Sequence, residues 1–120
     1  MTKTILIVDD EPDFLKVLSF GLKMAGYNIV TASDGQEALD AIFTIKPDLI
    51  LLDLMIPKIS GEALCKRLKA DLSFNKIPII LLTALMCDSK EKVKETGADG
   101  YLEKPFSPDE LKARIKGFIG

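Results

Sequence analysis

The sequence predicts an α/β domain in which a parallel sheet is covered by helices on both faces. Short apolar runs alternate with amphipathic stretches five times along the 120 residues, the pattern that such a layered architecture writes into a chain. No repeat, linker or low-complexity segment interrupts the alternation. A hydrophobic content of 48% is enough for one core that buries roughly two-thirds of the unfolded surface, and it leaves no room for a second domain.

The strands are expected at Thr4–Val8, Asn28–Ala32, Asp48–Leu52, Pro78–Leu82 and Gly100–Glu103. The third and fourth are apolar almost throughout and read as central. Between the strands the apolar residues keep helical spacing: Leu15, Leu18, Leu22 and Ala25 in the first helix, Ala38, Ala41, Ile42 and Ile45 in the second, Leu64, Cys65 and Leu68 in the third. The fifth helix carries a full start signal. Ser107 caps, Pro108 takes the first turn, Glu110 completes a capping box and Phe106 staples onto Leu111, leaving Leu111, Ile115 and Phe118 as the packing stripe. The fourth, over Cys87–Thr96, offers little apolar material beyond Val93 among Asp88, Lys90, Glu91, Lys92, Lys94 and Glu95. It is expected to be weakly anchored.

Composition narrows the chemistry. A formal net charge of −2 and a pI near 5.1 give no attraction for nucleic acid or an anionic membrane, so direct DNA binding is disfavoured. The two cysteines, Cys65 and Cys87, are too few for a disulfide framework and suit a structural role in a reducing compartment. The apolar run Ile5–Val8 is far too short for a signal segment or a membrane span, and a cytoplasmic protein without membrane insertion is expected. Histidine is absent, which removes Ser-His-Asp and Cys-His catalysis and histidine-ligated metals. Carboxylates, lysine and hydroxyls remain.

Those groups collect at the carboxyl ends of the expected strands: Asp9 and Asp10 after the first, Asp53 after the third, Thr83 after the fourth, Lys104 after the fifth. In a parallel sheet these ends share one edge, where open α/β sheets bind ligands. Three carboxylates brought together repel one another unless protonated or neutralised by a cation. Oxygen ligands without His or Cys indicate Mg²⁺ or Mn²⁺, with Mg²⁺ the expected ion, either of which keeps coordination positions open for a phosphoryl oxygen. With the Lys104 charge and the Thr83 hydroxyl, the parts needed for in-line phosphoryl transfer are present.

Over essentially its whole length the chain resembles the receiver domains of bacterial response regulators, the CheY-like family of two-component signalling. The matching segments are Ile5-Leu6-Ile7-Val8-Asp9-Asp10-Glu11-Pro12, Asp53-Leu54-Met55 with Pro57 and Gly61, Leu82-Thr83-Ala84, Gly97-Ala98-Asp99-Gly100-Tyr101-Leu102, and Lys104-Pro105-Phe106. The resemblance implies a flavodoxin-like doubly wound sheet of order 2-1-3-4-5 with five helices. It also implies phosphorylation of Asp53 by a histidine kinase or histidine phosphotransfer protein.

By the same resemblance, Asp10, Asp53 and the Met55 carbonyl would ligate Mg²⁺ directly, with Asp9 acting through metal-bound water. Lys104 would pair with the phosphoryl group, and its bond to Pro105 would be cis. Thr83 and Tyr101 match the family's switch pair. The surface of the fourth helix, fifth strand and fifth helix would then be what a downstream effector protein or domain reads, and phosphorylation-dependent homodimerisation through the fourth and fifth helices is compatible with this. The chain departs from the family's common residues at Ile56 and Ser60, neither of which removes a reactive group. Met55 and Leu85 match the positions that tune hydrolysis in the family; both side chains are apolar and cannot orient a water, which predicts a long-lived phosphoryl-aspartate.

Simpler readings exist for each residue taken singly. An Asp-Asp pair after a strand can be a helix N-terminal cluster, Lys104 a solvated charge, and Tyr101 a static half-buried ring. Lys66, Arg67 and Lys69 read as a solvated helix face. Cys87 would be reactive only if its thiolate were stabilised. Among rival functions, a Mg²⁺-dependent phosphohydrolase with an aspartyl nucleophile normally needs an aspartate where Met55 stands. A flavin carrier would need a phosphate cradle where Asp9, Asp10 and Glu11 repel anions. A receiver serving only as a docking module, without phosphorylation, is opposed by the complete set Asp9, Asp10, Asp53, Thr83 and Lys104.

Overall fold

A computed structural model describes residues 2–84 and 87–120. The elements run β1 (Thr4–Val8), α1 (Pro12–Met24), β2 (Asn28–Ala32), α2 (Gly35–Ile45), β3 (Leu49–Asp53), α3 (Gly61–Lys69), β4 (Ile79–Thr83), α4 (Ser89–Thr96), β5 (Gly100–Glu103) and α5 (Pro108–Ile119). All five strands are parallel, in the order β2-β1-β3-β4-β5, the order expected. None of the described helices is long and apolar enough to cross a membrane.

Because side chains alternate across a strand, the sheet feeds two core layers. Leu6, Val8, Ile50, Leu52, Ile79 and Leu81 pack with α2 and α3 through Ala38, Ile42, Leu64 and Leu68. Ile5, Ile7, Leu49, Leu51, Ile80 and Leu82 pack on the other face with Leu22 of α1 and Leu111 and Ile115 of α5. Every residue of β3 and β4 is buried, which makes these strands central.

β3 and β4 each lie one residue later than expected. Pro78 has no N–H for the ladder, although its carbonyl still accepts from Ile50 N at 2.9 Å. The Asp48 carboxylate turns back to take Thr4 N at 2.7 Å. At the far ends Asp53 pairs with Leu82 and Thr83 with Glu103, so both reactive candidates belong to the sheet itself and are held by its ladder.

The helical stripes need four corrections. Ala25 is exposed because α1 ends at Met24, with Ala25 as its C-cap and Gly26 turning the chain at φ 100°. Ile45, the last residue of α2, is exposed, and Leu39 is buried in its stead. Phe118 stays 39% exposed beyond the buried pair Leu111 and Ile115. α4 starts at Ser89 rather than Cys87, because the Asp88 carboxylate accepts Glu91 N and makes Asp88 the N-cap. At α5 the Ser107 hydroxyl accepts Glu110 N at 3.0 Å, the capping half of the expected box.

Candidate functional site

The strand order reverses between β1 and β3, since β2 lies on one side of β1 and β3 on the other. A crevice at such a reversal is where doubly wound sheets hold ligands. Asp9 and Asp10 follow β1, and Asp53 ends β3. The sheet spacing does the rest: carboxylate oxygens of Asp9, Asp10 and Asp53 lie within 4.8 Å of one another.

Asp9 is fully buried, Asp53 is 9% exposed, and Asp10 is open to solvent. Each buried carboxylate divides its oxygens in the same way. Asp9 Oδ1 accepts Glu11 N at 3.0 Å and Oδ2 accepts Lys104 Nζ at 2.8 Å. Asp53 Oδ1 accepts Met55 N at 2.9 Å and Oδ2 accepts Lys104 Nζ at 3.1 Å. Backbone amides therefore orient both acids, and one ammonium bridges them.

Lys104 arrives from the end of β5, its own N–H bonded to the Thr83 carbonyl at 2.8 Å and its bond to Pro105 cis. The ammonium sits 4.3 Å from the centre of the Phe14 ring, a cation–π contact. Phe14 is braced edge-on by Phe106 at 6.1 Å. Nothing in the sequence associates Phe14 with the site; its position in the first turn of α1 reads equally well as core.

Burial pushes the Asp9 carboxyl above its ordinary value and the neighbouring Asp53 charge adds to this, against the opposing pull of Lys104 and the Glu11 amide. Burial alone would lower Lys104, but its hydrogen bonds and attraction to Asp9 and Asp53 outweigh that and raise it. Three carboxylates face a single ammonium, so negative charge is in excess. A cluster of oxygen donors without imidazole or thiolate suits a hard divalent cation of the Mg²⁺ type.

Gly61 lets α3 begin against this site, since a Cβ there would overlap the Asp53 carbonyl. Ser60 caps α3 by accepting Ala63 N at 3.1 Å, so the departure at this position keeps a capping residue. Met55 is 80% exposed beside Asp53; Leu85 lies outside the described residues. Thr83 is buried, with Oγ1 2.8 Å from Ser89 Oγ and 3.4 Å from the Leu102 carbonyl. Tyr101 is half-buried at the rim of the layer containing α2 and α3, and its carbonyl accepts Arg114 Nη1 at 2.8 Å. Ser89 and Arg114 were not singled out in the sequence, because only the tertiary contacts give them partners.

Of the basic trio, Lys66 and Arg67 are exposed as expected. Lys69 is not a solvated charge. It pairs with Asp99 and donates to the carbonyls of Asn75 at 3.1 Å and Ile77 at 2.9 Å, tying down the α3–β4 connection. Cys65 is buried, with Sγ 3.7 Å from the Thr96 carbonyl and its thiol pushed up by burial, in line with a structural role. Cys87 is partly buried against the same layer.

Comparison with known proteins agrees with this geometry. Residues 5–116 match the family model of the response regulator receiver domain. The chain is 48% identical over 122 residues to the alkaline phosphatase synthesis transcriptional regulatory protein PhoP of Bacillus subtilis, covering 99% of this chain and 49% of that protein. It is 50% identical over 118 residues to the phosphate regulon transcriptional regulatory protein PhoB of Pseudomonas aeruginosa, covering 98% and 52%. The chain thus spans about half the length of the curated relatives it matches.

Among solved structures, the receiver domain of sensor histidine kinase PA1611 from Pseudomonas aeruginosa, with a magnesium ion coordinated in its active site cleft, superimposes with a TM-score of 0.90 at 30% identity, over 100% of this chain and 99% of that one. The family match makes this domain a signalling switch. This chain belongs to the response regulator receiver domain family of two-component signalling.

Proposed function

We propose that residues 1–120 act as one receiver domain that accepts a phosphoryl group on Asp53 from a histidine kinase or histidine phosphotransfer protein and catalyses that transfer itself. The observation that carries this reading is the convergence of Asp9, Asp10, Asp53 and Lys104 at the β1/β3 reversal. An Asp53 carboxylate oxygen attacks phosphorus, the P–N bond to the donor histidine breaks, and the imidazole leaves with its electron pair. The Met55 amide holds the other Asp53 oxygen in place. Lys104, now shared between Asp9 and Asp53, has three N–H donors and follows the new negative charge onto a phosphoryl oxygen. The Thr83 hydroxyl supplies a second donor once it turns toward Asp53.

Asp10, Asp53 and the Met55 carbonyl would hold Mg²⁺ (or Mn²⁺), with Asp9 behind them through water. When bound, the ion neutralises the carboxylates and withdraws charge from the transferring phosphoryl group. The magnesium in the cleft of the PA1611 receiver domain supports the choice of ion.

Thr83 and Tyr101 form the switch, and the face of α4, β5 and α5 is the surface read by an effector protein or domain. The relatives that are transcriptional regulators support an output in gene control; a phosphorylation-dependent homodimer through α4 and α5 is one form that output can take. The Met55 side chain, exposed and apolar, offers no polar group to position a hydrolytic water, and we expect the phosphoryl-aspartate to be long-lived. Its rapid loss from the isolated phosphoprotein would contradict this.

The decisive test is intact mass after incubation with acetyl phosphate and Mg²⁺. The expected result is gain of one phosphoryl group, absent in Asp53→Ala and absent with chelator. No gain under any condition would reject the phospho-acceptor and favour a docking module that works without phosphorylation.

A further inference from the structure

α4 rests on the sheet through hydroxyls. Its buried residues are Ser89 and Thr96, at its two ends, with Val93 half-buried between them. Thr96 is satisfied close to home: Oγ1 donates to Lys92 O at 2.7 Å and accepts Ala98 N at 3.3 Å. Ser89 instead reaches out of the helix, its Oγ 2.8 Å from Thr83 Oγ1. Both partners are sealed from water, Thr83 at 1% and Ser89 at 5% exposure.

A threonine hydroxyl carries one proton. In the resting geometry that proton serves Ser89 or the Leu102 carbonyl, the latter at 3.4 Å and the poorer acceptor by distance. To donate to a phosphoryl oxygen on Asp53, Thr83 must turn about its side-chain torsion, which swings Oγ1 off Ser89 and leaves hydrogen or methyl in its place. Ser89 then sits buried without a partner. That cost is relieved only when water reaches it, and it lies in the first turn of α4, where outward movement of the helix start admits water.

We propose that Ser89 is the latch between the phosphorylation site and α4: its hydroxyl holds Thr83 back and α4 down at rest, and loss of that bond on phosphorylation drives the first turn of α4 outward. Ser89 is a positioning residue, since it touches no reacting atom. The inference rests on Asp53 being the phospho-acceptor and adds the contact by which that event reaches the helix.

The test is amide exchange across 89–96 in the wild type, Ser89→Ala, Ser89→Thr, Thr83→Ala and the double variant Ser89→Ala/Thr83→Ala, each with and without acetyl phosphate and Mg²⁺, with intact mass recorded on every sample. Without the phosphate donor, Ser89→Ala should speed exchange in this segment roughly two- to tenfold, the equilibrium shift that one such hydrogen bond carries. Ser89→Thr, which keeps the hydroxyl, should restore the wild-type rate. The double variant should exchange no faster than Thr83→Ala alone, and phosphorylation should add little to Ser89→Ala while it accelerates the wild type. A hydroxyl with a merely structural role would show neither this non-additivity nor the lost response to phosphate. Normal phosphoryl mass gain with unchanged or additive exchange overturns the latch alone. Absence of mass gain in every chain overturns the phospho-acceptor, and the coupling with it.

Discussion

α4 and α5 flank the same edge strand, β5, yet are fastened by different chemistry. α5 buries Leu111 and Ile115 in a continuous apolar layer and is capped by Ser107 with Pro108 at its first turn. α4 buries two hydroxyl residues, and Lys92 adds an ion pair to Glu62 of α3 at 3.0 Å. Apolar burial is non-directional and degrades gradually with displacement. Hydroxyl and ion-pair contacts are directional and can be exchanged one for another. The difference teaches that a helix poor in apolar residues need not be loosely packed; it can be held by directional bonds whose partners are able to change.

If that contrast is right, the largest effect comes from the apolar anchor. Ile115→Ala should cost about 2–5 kcal/mol of global stability, whereas Val93→Ala, at a half-buried site in α4, should cost about 1 kcal/mol or less. Urea unfolding of both variants measures this, and equal losses would break the comparison. Next in size, Ser107→Ala removes the α5 cap and should cost about 1 kcal/mol, without changing exchange in α4.

The smallest effect concerns Lys92, whose pKa is raised, chiefly by its hydrogen bond to Glu62. A lysine with a raised folded pKa contributes stability that is fully present below its unfolded value and lost as pH rises through the folded one. The α4–α3 tie should therefore weaken only above the ordinary lysine range, about pH 10.4. The difference in melting temperature between wild type and Lys92→Met should be small and flat through neutral pH, shrink in that alkaline window, and shrink with salt because the pair is partly exposed. A difference that grows with pH would show the sign to be wrong.

Much of this protein was legible in its residues. The period of the apolar runs placed all five strands within one residue; the signal is plainest in β3 and β4, because a strand buried on both faces tolerates little besides Val, Ile and Leu. Asp9, Asp10, Asp53, Thr83 and Lys104 could be gathered on one edge from sequence, since parallel strands all end on the same side. The cap of α5 was readable for a local reason: Ser107 and Glu110 lie three residues apart, and the contact needs nothing else from the fold.

What only the tertiary structure decided are contacts between one element and another. Lys104 bridging Asp9 and Asp53, Phe14 beneath that ammonium, Lys69 turned inward to Asp99 and Ser89 against Thr83 all depend on how elements meet, which no periodicity encodes. Composition correctly marked α4 as poor in apolar residues, but it could not say that a serine there faces the threonine that ends β4. A hydroxyl in sequence is equally a cap, a solvated side chain or a latch, and its partner is chosen only when the helix docks.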